Sequence, residues 1–364
     1  MRYIQEYRDG KLSREIIGRL DAISKREVRI MEVCGTHTVS IFKNGIRTVL
    51  PDTVSLISGP GCPVCVTDQK EIDTAIALAG RENTIIATFG DLIRVPGTFS
   101  SLQKEQAAGS DIRIVYSTFD AVDIARKNPG RDVVFLGIGF ETTAPTIAAS
   151  VLAAEKEGLD NYYVYSAHKL MPPALEALMN KERVKIDGFL LPGHVSVIIG
   201  SDAYSGFLEK YRIPCAITGF EPVDILQGIY TLTDMINAGS PRVENCYPRA
   251  VTEAGNVEAT KIMYTVFEPC DAAWRGIGRI PDSGLRLKKA YEAFDAAAQF
   301  AIETPDTHPP KGCACGEVLT GELTPPQCPL YKKVCTPMNP VGPCMVSTEG
   351  TCAAYYKYKA TECI

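Results

Sequence analysis

The chain has 364 residues, of which 45% are hydrophobic and 22% charged, and its formal net charge is −5. These values indicate an ordinary globular protein of two or three domains. Lysines and arginines are scattered among acidic residues, so we expect no nucleic-acid partner. The N-terminal segment lacks the apolar core of a signal peptide, and no apolar run is long enough to span a bilayer. We therefore expect a soluble, cytoplasmic protein that has no membrane partner.

Short β-rich runs alternate with amphipathic stretches of helical period from about residue 28 to 240, which predicts βαβ units and parallel sheets. The predicted strands are EVRIMEV, TVSLIS, NTIIATF, IRIVYS, DVVFLGI, YYVYS, GFLLP and PCAITGF. We favour two four-stranded sheets over one wide sheet, because GIGFETTAPT (137–146) and ITGFEPVDIL (217–226) share a Gly-Phe-Glu turn. The predicted fold class is α/β, with Rossmann-like parallel-sheet domains at 1–138 and 139–240.

The third predicted region, 241–364, has a different character. The segments AVTEAGNVEATKIMYTVF (250–267) and LRLKKAYEAFDAAAQFAI (285–302) are predicted to be helices. Residues 312–364 are rich in Cys, Pro and Gly, with few periodic apolar residues. Such a segment cannot build a large core, so we expect a bound metal cluster to hold it.

The distribution of the 13 cysteines points to metal or redox chemistry, because seven of them lie in the last 52 residues. Three earlier cysteines, Cys34 in EVCGTHTVS and Cys62 with Cys65 in SGPGCPVC, each follow a predicted strand. Open α/β sheets bind ligands at the carboxyl ends of their strands. We expect an exposed position and nearby helix amides to favour the thiolate form there.

The spacing of Cys62 and Cys65 around a proline favours a redox dithiol at the start of a helix. The competing interpretation is a zinc site that adds Cys34 and His37 as ligands. A structural zinc does not need a position at the carboxyl ends of the strands, where α/β sheets bind their ligands, and this argues against the zinc site. We expect the isolated thiols to be small buried hydrophobic groups: Cys215, Cys246 and Cys270.

Three further polar residues follow predicted strands. His168 and His194 either line the same cleft or are hydrogen-bonded loop histidines. Glu141 either acts as an acid or base or caps the next helix. The Gly-Ile-Gly before Glu141 lacks the third glycine of a dinucleotide motif, so we assign no nucleotide to it.

Six cysteines lie between residues 313 and 352, as C-x-C followed by gaps of 12, 6, 8 and 7 residues. Irregularly spaced thiolates suit a [4Fe–4S] cluster, which needs four of them. A zinc ribbon would favour two C-x-x-C knuckles, which this spacing lacks. Spacing alone does not choose four ligands from the six.

The ordered motifs CGTH, GPGCPVC, GFETTAP, SAHKLMPPA, LPGHVS and MVSTEGTCAAYYKY resemble those of the HypD family of [NiFe]-hydrogenase maturation factors over essentially the whole chain. The resemblance implies two α/β domains around a cleft and a cluster-bearing C-terminal region. It implies a metal-centre assembly scaffold that builds the Fe(CN)2CO group in complex with the chaperone HypC. Cyanide would come from HypE. We expect the protein itself to be a monomer.

The same resemblance implies roles for particular residues. Cys34 matches the family's iron-carrying cysteine, His37 is its close neighbour, and Cys62 and Cys65 match the redox pair. Glu349 is expected near the tail site. The cluster ligands that we select by resemblance are Cys315, Cys328, Cys335 and Cys352, with Cys313 and Cys344 as additional thiols.

Two other functions stay open at this point. One is a stand-alone [4Fe–4S] thiol–disulfide oxidoreductase that acts on protein disulfides, and the other is a structural zinc scaffold. In the assembly function, the tail cluster would relay single electrons to the Cys62–Cys65 couple, which resembles ferredoxin–thioredoxin reductase. The sequence specifies neither the source of CO, nor the order in which the ligands arrive, nor the hydrogenase that is served.

Overall fold

The computed structural model describes residues 5–181, 184–304 and 306–358. Cys363 lies outside these ranges. The strands of the described chain are β1 Val28–Glu32, β2 Val54–Ser58, β3 Thr84–Thr88, β4 Asp111–Ile114, β5 Asp132–Gly137, β6 Tyr162–Ser166, β7 Gly188–Pro192, β8 Cys215–Thr218, β9 Val243–Asn245, β10 Phe267–Trp274 and β11 Gly278–Leu287.

Helices follow most of these strands. They are α1 Gly10–Ile23, α2 Gly35–Lys43, α3 Ile46–Val49, α4 Pro63–Val66, α5 Gln69–Ala79, α6 Leu102–Ala107, α7 Thr118–Lys127, α8 Ala144–Glu157, α9 Met171–Met179, α10 Gly193–Ile199, α11 Ser205–Tyr211, α12 Pro222–Ala238, α13 Val257–Val266, α14 Ala296–Gln299, α15 Cys315–Leu319, α16 Pro343–Val346 and α17 Thr351–Tyr358. In the part of the chain that the structure describes, no helix is both long enough and apolar enough to cross a bilayer.

The strands form two parallel sheets, which confirms the predicted α/β class. The first sheet has the order β2-β1-β7-β8-β9, and the second has the order β4-β3-β5-β6. All eight predicted strands occur, and β9 extends the first sheet to five strands. The two Gly-Phe-Glu turns lie one in each sheet, after β5 and after β8.

The division of the chain between the sheets differs from the predicted division at residue 138. The chain leaves the first sheet after β2, builds the whole second sheet from β3 to β6, and returns at β7. β1 pairs with both β2 and β7, so strands that are distant in sequence become neighbours. Sequence periodicity identifies a strand but not its partner, and it therefore could not place the second sheet as an insertion in the first.

A β-hairpin replaces part of the predicted helical region. The helix predicted at 250–267 occurs as α13, but the chain then forms the antiparallel pair β10–β11. The helix predicted at 285–302 is wrong over most of its length: it contains the end of β11, a 3₁₀ helix at Lys289–Phe294 and the short α14. Leu285 and Leu287 pack in the core of the second sheet, and this tertiary burial prevails over local helix propensity.

The cysteine-rich tail, residues 306–358, packs against the first sheet. Its residues Val318, Leu319 and Tyr355 belong to the same buried cluster as Met31 and Phe189 of β1 and β7. The rings of Phe42 and Tyr355 lie 4.5 Å apart between centroids. The expectation that a metal cluster alone must hold the tail is therefore corrected, because the tail shares the core of the α/β body.

Candidate functional site

The carboxyl edge of the first sheet collects the polar residues that the sequence singled out. Cys34 follows β1 and is the N-cap residue of α2, and Cys62 follows β2 as the N-cap residue of α4. His194 follows β7 in the first turn of α10. These residues meet because the strands are parallel and adjacent. The loop that contains Cys62 packs closely on Cys34 because residue 61 is a glycine: a Cβ there would lie 2.0 Å from the backbone nitrogen of Cys34.

Cys34 lies in a buried polar surrounding. Its backbone N–H donates to Oε2 of Glu32 at 3.2 Å, and its Sγ lies 3.9 Å from Nδ1 of His194. Its side chain is only 1% exposed, and burial raises the pKa of the thiol despite the nearby amides of Thr36 and His37. The expectation of an exposed thiol favoured as thiolate is therefore wrong for Cys34, since desolvation outweighs the helix amides.

His37 is directed towards β8. Its Nε2–H donates to the carbonyl oxygen of Gly219 at 2.9 Å and lies 3.0 Å from Oγ1 of Thr218, which leaves Nδ1 as a buried acceptor without a partner among the described residues. Burial lowers the pKa of His37 to about 4. The imidazole of His37 is therefore neutral. The histidine that contacts the Cys34 thiol is His194, which the sequence marked only as one of two cleft candidates.

His168, the second candidate, lies in the core beside the second sheet. Its Nδ1 is 2.9 Å from Oγ of Ser166, and its ring packs on Phe267. Burial lowers the pKa of His168 to about 3. This environment agrees with the hydrogen-bonded alternative.

The Cys62–Cys65 pair is also buried. The N–H of Cys65 donates to Sγ of Cys62 at 3.3 Å, so Cys62 caps the four-residue helix α4. The two residues are 3% and 0% exposed, and burial raises the pKa of Cys65. The prediction of an exposed thiol of lowered pKa is therefore wrong for Cys65, because one short helix turn cannot offset complete desolvation.

The tail brings further sulfur atoms to this pair. The side chain of Cys344 contacts Cys65 and also Cys315 and Cys352. Cys315 also contacts Cys313, and a Cβ at Gly342 would lie 2.6 Å from the sulfur atoms of both. Four tail thiols therefore form one contiguous group with the Cys62–Cys65 pair: Cys313, Cys315, Cys344 and Cys352.

The four selected cluster ligands take different positions in this arrangement. Cys315 and Cys352 belong to the contacting thiols, and Cys344, which the resemblance set aside, lies at their centre. Cys335 accepts an N–H from Val341 at 3.3 Å, and Cys328 is buried in the same hydrophobic cluster. The sequence alone could not distinguish Cys344 from the other tail thiols. Its central position depends on its contact with Cys65, which only the fold creates.

The donor set fits an iron–sulfur cluster in kind, because several buried thiols are the soft ligands that such clusters require. Among the described residues, no group of three or more His, Cys, Asp or Glu side chains is arranged so that it could hold a metal ion. The proposed zinc set of Cys34, His37, Cys62 and Cys65 is not formed either, and His37 holds its Nε2–H on Gly219.

A cavity of about 480 Å³ lies between the carboxyl edges of the two sheets. One wall has residues of the first sheet and the tail, including Val64, His194 and Glu349, and the other has loops that follow β3, β4 and β5. Oε1 of Glu349 accepts a hydrogen bond from Oγ1 of Thr36 at 2.7 Å, which ties the tail to the CGTH turn. The cavity is the cleft that the resemblance implied.

Glu141 follows β5, and its carboxylate contacts the start of α9. Its Oε1 accepts the N–H of Met171 at 2.8 Å, at the start of α9, while Oε2 has no partner among the described residues. Burial raises the pKa of Glu141 to about 7. Glu141 therefore does not cap the next helix, α8, whose N-cap residue is Thr143, and it contacts the start of α9 instead.

Comparison with known proteins agrees with the motifs. Residues 11–359 match the family model HypD, described as "Hydrogenase formation hypA family". The chain is 43% identical over 372 residues to the hydrogenase maturation factor HypD of Escherichia coli K12, covering 100% of this chain and 99% of that protein.

Two further relatives carry the same name. The identity is 44% over 367 residues for the protein of Azotobacter vinelandii, with 98% of this chain and 97% of that protein covered. It is 45% over 368 residues for the protein of Rhizobium leguminosarum bv. viciae, with coverages of 98% and 96%. The chain therefore belongs to the HypD family of hydrogenase maturation factors.

Proposed function

We propose that the chain assembles the Fe(CN)2CO group of [NiFe]-hydrogenase at the carboxyl edge of its first sheet, in complex with HypC and with cyanide supplied by HypE. The observation that carries this proposal is the position of the Cys34 thiol, 3.9 Å from Nδ1 of His194, which lines the cavity together with Glu349 of the tail. The family membership supports the general role in hydrogenase maturation.

Cys34 is the residue that would anchor the iron substrate. Low-spin Fe(II) with cyanide and CO ligands requires a soft anchor, and a thiolate shared with a cysteine of HypC meets this need. Burial keeps the free thiol protonated, so binding of the metal must displace its proton. Nδ1 of His194 lies 3.9 Å from the thiol and is the proposed proton acceptor, and the ring is neutral because burial lowers its pKa to about 4.

Cys62 and Cys65 are the proposed redox couple. Oxidation to the disulfide releases two electrons and two protons, and reduction reverses this. Cys65 contacts Cys344 of the tail, so the couple lies directly against the thiols that would hold a [4Fe–4S] cluster. When bound, such a cluster supplies single electrons. We retain Cys315, Cys328, Cys335 and Cys352 as ligands, with Cys344 as the competing member of the set.

An anaerobic infrared spectrum tests the assembly function. The protein co-purified with HypC should show cyanide and CO stretching bands in proportion to the complex. Loss of these bands in a preparation that retains its tail cluster and reduces protein disulfides would favour the stand-alone oxidoreductase. A colourless protein that contains zinc and no iron would support the structural scaffold instead.

Mass spectrometry tests the redox pair separately. Mild oxidation of metal-replete protein should remove both thiol hydrogens from the peptide that contains Cys62 and Cys65, and reduction should restore them without metal release. The pair should react slowly with alkylating reagents in the folded protein, because both residues are buried. Thiols that stay reduced and are freed only by a chelator would identify a metal site and remove the redox role.

A further inference from the structure

Arg275 is a buried cation at the turn of the β10–β11 hairpin, with 7% of the residue exposed. Its backbone N–H donates to the carbonyl oxygen of Val66, and its Nε donates to that of Thr67 at 3.1 Å. Nη1 donates to Oε1 of Gln69 at 3.0 Å. The guanidinium therefore holds the segment directly after Cys65.

The next residue packs against the tail. Gly276 has φ +78°, and a Cβ there would lie 2.3 Å from Cα of Gly316, the neighbour of Cys315. The hairpin turn thus lies between the redox-pair loop and the first helix of the tail. Arg275 therefore precedes the residue at which the hairpin turn contacts the helix that Cys315 begins.

The hydrogen-bond partners of Arg275 among the described residues are uncharged groups, and Nη2 has no partner there. A buried cation without a counter-charge is strongly destabilising, and an unsatisfied N–H adds to that cost. Thiolates that ligate iron are anions, and they would supply the missing negative charge at the end of the turn.

We propose that Arg275 is a positioning residue that supplies the buried counter-charge for the thiolate site of the tail and ties that site to the Cys62–Cys65 loop. This inference rests on the proposed [4Fe–4S] cluster. A fixed positive charge stabilises the more negative, reduced state of such a site, because charge and hydrogen bonding set its reduction potential. Arg275 thus makes the tail site easier to reduce.

The test compares anaerobically purified wild type, Arg275→Gln and Arg275→Lys. Iron and acid-labile sulfide per chain and the midpoint potential of the cluster are measured, together with the far-ultraviolet circular dichroism of each protein. Arg275→Gln should shift the potential to more negative values, whereas Arg275→Lys should stay close to the wild type. Arg279→Gln is the control, because Arg279 is on the same hairpin but 76% exposed and paired with Asp271.

The outcomes separate this inference from the proposed function. Wild-type protein without iron and sulfide would remove the cluster itself. A folded Arg275→Gln protein with wild-type potential, or a lysine variant shifted as far as the glutamine variant, would overturn the role of the charge. If Arg275→Gln does not fold, the neutral variant Arg275→Met decides: a shift to more negative potential supports the proposal, and wild-type potential rejects it.

Discussion

The carboxyl edges of the two parallel sheets differ in chemistry although the same βα units build them. The first sheet presents Cys34, Cys62, Cys65 and His194, and the second presents the loops at Thr88–Leu92 and Ile138–Thr143. Of these four residues, His194 lines the cavity between the sheets, and Cys34, Cys62 and Cys65 are buried behind that wall. The second sheet forms the opposite wall, while the first sheet and the tail carry the clustered thiols.

This asymmetry follows from where the tail packs. Its buried apolar residues join the core of the first sheet, and Cys344 reaches Cys65 through that contact. The insertion of the second sheet between β2 and β7 does not interrupt the first sheet, because β1 pairs with β7 directly. Substitutions in the first sheet and the tail should therefore impair any thiol-dependent activity far more than substitutions in the second-sheet wall of the cavity.

The largest effect is expected from Cys34→Ala. The variant should fold and keep the tail cluster, because β1 and α2 do not depend on the thiol, but it should lose the cyanide and CO infrared bands and hydrogenase maturation. Cys246→Ala is the matched control, since Cys246 follows β9 at the same edge of the sheet and contacts Thr231. Normal bands in the Cys34 variant would place the anchor elsewhere.

The packing of the tail on the first sheet is tested by Tyr355→Ala. Tyr355 is buried against Phe42, so truncation should lower the free energy of unfolding by about 3 kcal/mol. Chemical denaturation of metal-replete protein measures this. Tyr116→Ala, on the opposite wall and 93% exposed, should change it by no more than about 0.5 kcal/mol. Equal effects of the two variants would contradict the shared core.

Glu141, which follows β5 of the second sheet, should make the free energy of unfolding depend on pH. Burial raises its pKa from 4.5 to about 7, so the native state retains a proton that the unfolded chain releases near pH 4.5. The stabilisation is complete below that pH and is lost as the pH rises towards 7. Glu141→Gln should therefore gain up to about 3 kcal/mol relative to wild type between these pH values.

Denaturant titrations at several pH values measure this gain. Glu258→Gln, in the exposed first turn of α13, is the control. Parallel pH profiles of Glu141→Gln and wild type would show that the carboxyl ionises normally in the folded protein.

The smallest effect concerns the contact between the CGTH turn and the tail. Thr36→Val removes the 2.7 Å hydrogen bond to Glu349 and should cost about 1 kcal/mol. A double-mutant cycle with Glu349→Ala, which removes the acceptor oxygen, isolates the coupling between the two side chains. Thr265→Val, which removes a bond to a carbonyl within α13, should show no coupling with Glu349→Ala. Additive effects of the Thr36 and Glu349 substitutions would show that the contact contributes nothing.

Local patterns in the sequence determined the strands, several helix starts and the position of the thiols along the chain. The eight predicted strands occur, and Asp68 starts α5 with Glu71 in a capping box. Placement of Cys34, Cys62 and His194 at carboxyl strand ends follows from strand–loop–helix order alone. These features depend on residues within a few positions of each other, which is why periodicity and capping chemistry reveal them.

Only the tertiary structure decided the sheet order, the hairpin and the surroundings of the thiols. Glu32 pairs with Leu190 across the first sheet, and Cys65 meets Cys344, although no local pattern links residues so far apart. Burial then reversed the expected pKa shifts of Cys34 and Cys65, because desolvation depends on what packs around a group and not on its neighbours in sequence. The same long-range packing buries Arg275 against the segment that follows Cys65, which the local sequence WRGIG could not indicate.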